Sequence, residues 1–265
     1  MVGSGSPRIL YECCPMCDSR KITRDRIMDC TSRVSFSNVL PRLVTWMKCG
    51  ECGHSFTDGY FSEPALEELL RYLHESQVFR LDDAETMRQV TARMVQRVVE
   101  QTSITQGKWL DVGFGNASLL LACEEFGFEP VGYDLRQETV DAINKYGYDF
   151  LCGEISRDTL YGGYSVISLA DVLEHTPYPL DVLRDAHRLL RQGGAIFVSC
   201  PNCESFVWRV LTEANANPYW TEVEHYHNFG RKQLFGILEK LGFNSFTYGI
   251  SDRYRMGMEI TAIKN

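Results

Sequence analysis

The 265-residue chain contains no apolar run approaching the roughly 20 residues that a membrane-crossing helix needs. Its first ten residues, MVGSGSPRIL, hold neither the apolar stretch of a secretory leader nor a cleavage site. No membrane partner is therefore expected, and the chain is placed in the cytoplasm. Internal repeats and low-complexity segments are also missing. An excess of positive charge is missing too, with 27 Lys/Arg against 35 Asp/Glu. The imbalance is uneven: residues 1–60 carry eight Lys/Arg against six Asp/Glu, and residues 61–265 carry nineteen against twenty-nine. An acidic body argues against nucleic acid as principal partner, because affinity for a phosphate backbone comes largely from counterion release by Lys and Arg. What remains, at 44% hydrophobic and 23% charged, is a globular composition long enough for one medium domain and a small module.

A cytosolic setting excludes disulfides as the reason for ten cysteines. Four of them pair: Cys14-Pro-Met-Cys17 and Cys49-Gly-Glu-Cys52, the second followed by Gly53. Each CxxC aims two thiolates at one ion, and four thiolates in a tetrahedron suit zinc. The pattern predicts a structural zinc ribbon over residues 1–60. Cys13 and His54 are neighbours able to substitute as ligands, and a redox dithiol or incidental cysteines are the rival readings. The other cysteines read as small core residues or inert thiols.

After the ribbon the pattern turns helical, from Pro64 through Leu73 and again at about 84–101, where Met87, Val90, Met94 and Val98 form one stripe. Residues 61–104 read as a helical connector. From residue 108 apolar runs alternate with helical stretches. Strands are expected at 108–112, 130–134, 148–152, 164–169 and 194–200, and helices near 116–126, 137–146, 179–191 and 231–241. Two last strands are expected at about 244–250 and 256–263. Such alternation implies βαβ units and a mainly parallel sheet. Residues 201–229 are the least regular.

The first of these strands runs into a glycine turn, Leu110-Asp111-Val112-Gly113-Phe114-Gly115-Asn116-Ala117. Glycines 113 and 115 allow a sharp turn and a close ligand approach before a helix. Nineteen residues after Gly115, Val131-Gly132-Tyr133-Asp134 ends a strand with a carboxylate able to accept both hydroxyls of a ribose. Ala117 or Ser118 stands where pyrophosphate binders place a third glycine, which fits adenosine with an amino-acid tail better than a pyrophosphate. With LADVLEHTPYPLDVLRDAHRLLRQGG and AIFVSCPN following in order, residues 105–263 resemble the class I S-adenosylmethionine-dependent methyltransferases. The resemblance implies an α/β, Rossmann-like seven-stranded sheet with an antiparallel last strand, preceded here by the zinc ribbon and helical connector. It implies S-adenosylmethionine as cofactor, with Asp111, Gly113 and Gly115 lining its methionine and ribose part. Asp134 would hold the ribose hydroxyls, with Leu135 and Glu154 near the adenine. Ala170 and Asp171 would lie by the methionine portion and substrate entrance, within a domain of residues 105–265.

Residues 218–229, PYWTEVEHYHNF, lie in the segment 201–229 that forms a lid over the acceptor in this fold. A hydroxyl acceptor must lose a proton during in-line methyl transfer, and histidine titrates near working pH. A ribbon followed by this core resembles the sugar methyltransferases of deoxysugar and polysaccharide pathways, including C-methyltransferases in which a Glu-His pair lies beside the acceptor. Glu224-His225 matches that pair, with His225 as general base. The C-methyltransferases carry a further C-terminal domain, and this chain stops soon after its last strand, which weakens the case for a nucleotide-sugar. The expected acceptor is a small molecule, a sugar or glycan intermediate, methylated on oxygen or carbon. Metal ligation by His225 and His227 is a rival reading, as is packing. His175 faces cofactor or substrate, or caps its loop. Tyr226, His227 and Trp220 are candidate substrate contacts. RNA or protein methylation with the ribbon as docking module, and a non-catalytic cofactor-binding scaffold, are the competing functions.

Overall fold

The computed structural model describes residues 7–31, 41–73, 79–157 and 162–265. The chain begins with β1 (Arg8–Leu10), β2 (Ile22–Asp29), β3 (Leu43–Cys49), β4 (Ser55–Thr57) and β5 (Gly59–Phe61). Helices α1 (Glu63–Leu73) and α2 (Leu81–Thr102) follow. Then come β6 (Gly107–Val112), α3 (Ser118–Glu125), β7 (Phe128–Asp134), α4 (Gln137–Asn144), β8 (Leu151–Cys152) and β9 (Tyr164–Ala170). The order continues with α5 (Pro179–Leu189), β10 (Leu190–Pro201), α6 (Phe206–Glu213), β11 (His227–Asn228), α7 (Arg231–Lys240), β12 (Phe243–Ile250) and β13 (Gly257–Lys264).

These elements divide into two compact units. The larger comprises residues 77–173, 181–202 and 230–265. Its seven strands run in the order β12-β13-β10-β9-β6-β7-β8, parallel except for β13, which pairs antiparallel with both β10 and β12. This is the α/β sheet expected from the alternating pattern. The central β9 reads YSVISLA and is buried at its first six positions, as befits a parallel strand covered on both faces. Against one part of the sheet α2 and α3 bury Met94, Val98 and Leu119 around Trp109, Phe128, Val166 and Phe197. Phe114, Leu120, Val140, Ile143 and Phe150 form a second cluster. Each large side chain taken fully from water contributes about 2–3 kcal/mol. Gly132 is fixed by this packing, since a Cβ there would sit 2.7 Å from the Phe114 ring.

The smaller unit gathers residues 1–76, 174–180 and 203–229. Its four-stranded sheet runs β11-β4-β3-β2, so its edge strand comes from more than 160 residues further along the chain. His227 pairs with Phe56 and Asn228 with Ser55. Trp46 on β3 is fully buried, packs edge-on against Trp220 at 5.1 Å and donates from Nε1 to the Trp220 carbonyl at 2.9 Å. The segment 203–229 thus folds with the N-terminal strands. It is also more regular than its sequence suggested. Ser205 caps α6 by accepting from the Trp208 amide at 3.1 Å, and Asn217 with Pro218 starts a short 3-10 turn over Pro218–Thr221.

Candidate functional site

In the larger unit the C-terminal ends of β6 and β7 carry the glycine turn. Asp111 is buried at the end of β6, and burial pushes its carboxyl up to about 7 against the hydrogen bond from Ser168 and the charge of Arg253. Ser168 Oγ donates to Asp111 Oδ1 at 2.5 Å and accepts from Trp109 Nε1 at 2.9 Å, a relay that fixes the carboxylate's orientation. Gly113 and Gly115 have φ of +66° and +56°, values that residues bearing a Cβ rarely adopt. The Gly113 amide donates to the Tyr133 carbonyl at 2.7 Å, tying the turn to the neighbouring strand. Ala117, in the place of a third glycine, also has a positive φ of 58° and precedes α3.

Asp134 ends β7 and is buried. Its Oδ2 accepts from the Gly115 amide at 3.0 Å and its Oδ1 from the Arg136 amide at 2.9 Å. The Arg136 guanidinium grips both oxygens, Nε to Oδ1 at 2.9 Å and Nη2 to Oδ2 at 3.0 Å. Leu135 is half exposed, and Glu154 is exposed and accepts from Ser156 Oγ at 3.2 Å. After β9, Ala170 is half-buried, and Asp171 adopts φ of 59° with its amide donating to the Ser199 carbonyl at 2.8 Å. Arg253, in the turn between β12 and β13, reaches Asp171 with Nη2 2.8 Å from Oδ2. Asp111, Gly113, Gly115, Asp134, Ala170 and Asp171 therefore all fall in one unit, at the β6 switch point where strand order reverses. Arg136, Ser168 and Arg253 were not among the expected residues. Arg136 lies two residues past Asp134 and was legible as its neighbour; Arg253 had no local signal.

In the smaller unit His225 stands 4.6 Å from His175 ring to ring, edge on, and Tyr219 stacks on it at 5.6 Å. His175 Nδ1 donates to the Glu224 backbone carbonyl at 3.0 Å. Glu174, His175 and His225 each offer a ligand atom within 4.8 Å of the others. His227 is placed differently: its Nε2 donates to the Thr176 carbonyl at 2.9 Å, and its Nδ1 accepts from His54 Nε2 at 3.0 Å. Burial and the neighbouring His54 hold it neutral, well below the usual histidine range. Tyr226 is buried, its amide donating to the Glu174 carbonyl at 2.6 Å and its carbonyl accepting from the Thr57 amide at 2.8 Å. Its hydroxyl accepts from the Phe61 amide at 3.3 Å. Trp220 lines a cleft of about 770 Å³ with Trp208, Arg26, Lys48 and Arg209, the Arg26 guanidinium lying 3.9 Å over its ring.

Cys14, Cys17, Cys49 and Cys52 converge, with Cys14 Sγ 3.6 Å from Cys52 Sγ and Cys17 Sγ 3.6 Å from Cys49 Sγ. Thiolates bound to one tetrahedral zinc lie about 3.8 Å apart, from Zn–S bonds of about 2.3 Å, so the donor set fits that ion. Burial raises the Cys49 thiol, but amide donors from Cys52 and Glu51 together with the Cys17 and Cys52 thiols bring it down to about 7, while burial pushes Cys14 up and Cys52 up to about 11. Neither Cys13 nor His54 belongs to the cluster.

The family described as "Methyltransferase domain" matches residues 80–247. Among curated proteins, the ubiquinone biosynthesis O-methyltransferase of Methylococcus capsulatus is 27% identical over 128 residues, covering 45% of this chain and 54% of that protein. That of Nitrosococcus oceani is 25% identical over 184 residues, covering 63% of this chain and 78% of that protein. The chain spans about half the length of the first curated relatives it matches. Among solved structures, magnesium protoporphyrin IX methyltransferase from Synechocystis with bound S-adenosylhomocysteine is similar at a TM-score of 0.54. It is 18% identical, over 78% of this chain and 97% of that one. Human N-acetylserotonin methyltransferase in complex with S-adenosylmethionine is similar at a TM-score of 0.53 and 19% identity, over 77% of this chain and 57% of that one. At these identities the structural likeness speaks to the fold.

Proposed function

Because the chain belongs to the methyltransferase-domain family, which matches it over residues 80–247, we propose that it transfers a methyl group from S-adenosylmethionine to the oxygen of a small molecule. The observation that carries this reading is the turn at Asp111, Gly113 and Gly115 facing the Asp134 carboxylate across β6 and β7. Bound there, the cofactor supplies an electrophilic methyl on its sulfonium. Asp134 accepts the ribose hydroxyls, Leu135 and Glu154 flank the adenine, and Asp111 with Asp171 borders the amino-acid tail. On the acceptor side His225, with Glu224 beside it in sequence, is the candidate to take the hydroxyl proton, and His175, Tyr219 and Trp220 are candidate positioning groups.

Oxygen is favoured over carbon because the curated relatives are named O-methyltransferases. The sugar or glycan acceptor expected from the sequence gains no support from them, since their names refer to ubiquinone biosynthesis. A cleft of about 770 Å³ walled by Trp208 and Trp220 has the size of a small-molecule site, though neither His175 nor His225 lines it. We further assign a structural zinc to Cys14, Cys17, Cys49 and Cys52. Four thiolates leave it no open position for chemistry.

Calorimetry with S-adenosylhomocysteine tests the cofactor reading, and turnover against phenols, sugars and RNA tests the acceptor. Micromolar binding with turnover on a hydroxylated small molecule is expected. Absence of binding overturns the reading, and turnover stimulated only by RNA transfers it to a macromolecular substrate.

A further inference from the structure

The smaller unit holds a second group of metal-type donors that the four cysteines do not account for. Glu174 and His175 follow one another in the turn after β9, and His225 comes from the segment before β11. One ligand atom of each lies within 4.8 Å of the other two. Glu174 is 1% exposed and His225 6% exposed.

Three features make this group more than a chance meeting. First, the donor set is one carboxylate and two imidazoles, which suits zinc, manganese, iron or cobalt and differs from the thiolate set of the ribbon. Second, the proton of His175 is committed. Its Nδ1–H donates to the Glu224 carbonyl at 3.0 Å, which leaves the Nε2 lone pair for a ligand. A backbone carbonyl on the far ring nitrogen is the usual outer partner of a metal-bound histidine, because it fixes both tautomer and ring direction. Third, a main-chain bond ties the two segments, the Tyr226 amide donating to the Glu174 carbonyl at 2.6 Å, and within the second segment Tyr219 stacks on His225 with 14° between rings.

We propose that Glu174, His175 and His225 bind a divalent first-row transition cation, separate from the zinc of the ribbon. Three protein donors leave positions open for water or for the oxygen of a hydroxylated small molecule. Ligation of His225 is the alternative to the free-base role proposed above, and the two exclude one another. The site stands on the smaller unit alone, so it holds or fails independently of the cofactor reading.

Cobalt(II) counted per full-length chain separates the two sites, because thiolate ligation gives intense charge-transfer absorption and the oxygen–nitrogen set gives only weak bands. The wild-type chain should bind two cobalt ions. His225→Gln and His175→Gln should each bind one while keeping the thiolate absorption, which also shows that the variant has folded. Glu174→Gln should weaken the second ion at least tenfold. A wild-type chain holding a single ion with thiolate bands only overturns the site, and so does a second ion retained in both histidine variants. S-adenosylhomocysteine binding measured on the same samples keeps the outcomes apart: its loss counts against the transferase reading whatever the cobalt count, and its retention with one cobalt ion removes only the second metal site.

Discussion

The Arg136 guanidinium grips both carboxylate oxygens of Asp134, at 2.9 and 3.0 Å. Two backbone amides, of Gly115 and Arg136, take the remaining lone-pair directions. A ribose placing its hydroxyls on Asp134 must therefore displace the Arg136 side chain. Charge-assisted bonds of this kind are worth about 1–3 kcal/mol. Arg136→Ala should relieve part of that competition and tighten S-adenosylhomocysteine about fivefold, close to 1 kcal/mol. Asp134→Ala should lose at least tenfold. Weaker binding by Arg136→Ala in calorimetry would show that the guanidinium assists the ligand.

Asp111 makes stability depend on pH. Burial raises its carboxyl from 3.8 to about 7 in the folded chain. A folded pKa above the unfolded one means that the stabilising, protonated form is fully favoured below about 4 and is lost as pH rises through 7. The whole shift corresponds to on the order of 4 kcal/mol. Asp111→Asn, which keeps an acceptor for Ser168, should raise the melting temperature at pH 8 and change it little at pH 4.5. Equal effects at both pH values would mean that Asp111 is ionised throughout. If the cofactor's tail lies beside Asp111 as proposed, its ammonium favours the ionised form, and wild-type affinity should rise between pH 6 and pH 8.

Much of this was legible beforehand because it is local. Periods of two and about 3.6 residues marked the strands and helices of the larger unit, and glycines requiring positive φ marked the turn at 113–115. The spacing of Cys14, Cys17, Cys49 and Cys52 carried the thiolate cluster. What stayed hidden is non-local. No periodicity says that His227 and Asn228 complete the sheet of β4, or that Arg253 reaches Asp171 across 82 positions. PYWTEVEHYHNF showed the chemistry of its side chains, but not that His227 is spent on His54 and Thr176 while His225 turns to His175. Those partners are set by pairing register in a sheet whose strands come from both ends of the sequence.

That pairing predicts a distant effect of metal removal. Cys49 ends β3, which pairs with β4, and β4 holds β11 by His227 and Asn228. Thr57 on β4 also donates to Tyr226, and Trp46 to Trp220. Chelation, or Cys14→Ser with Cys17→Ser, should therefore speed amide exchange at 220–229 by tenfold or more, over 160 residues away in sequence. Exchange in β6 and β9 should stay slow. Loss of protection confined to residues 7–61 would show that the edge strand stands without the thiolate site.

On the proposed cofactor reading, Arg253 is expected to meet the amino-acid tail of S-adenosylmethionine. It contacts Asp171 at 2.8 Å, and its charge also acts on Asp111. Asp171 itself is held at φ of 59°, which costs a residue with a Cβ about 1 kcal/mol and keeps its carboxylate aimed at the turn of β12 and β13. A guanidinium offers five donors in a planar fork, so Arg253 can keep Asp171 and still present N–H groups to the tail's carboxylate. Two ligands isolate that contact. S-adenosylhomocysteine carries the tail, and 5′-methylthioadenosine keeps the nucleoside without it. Arg253→Gln should weaken the first about tenfold and leave the second within twofold, and Arg253→Lys should recover part of the loss. A parallel loss for both ligands would show that Arg253 shapes the turn at Asp171 and does not meet the cofactor.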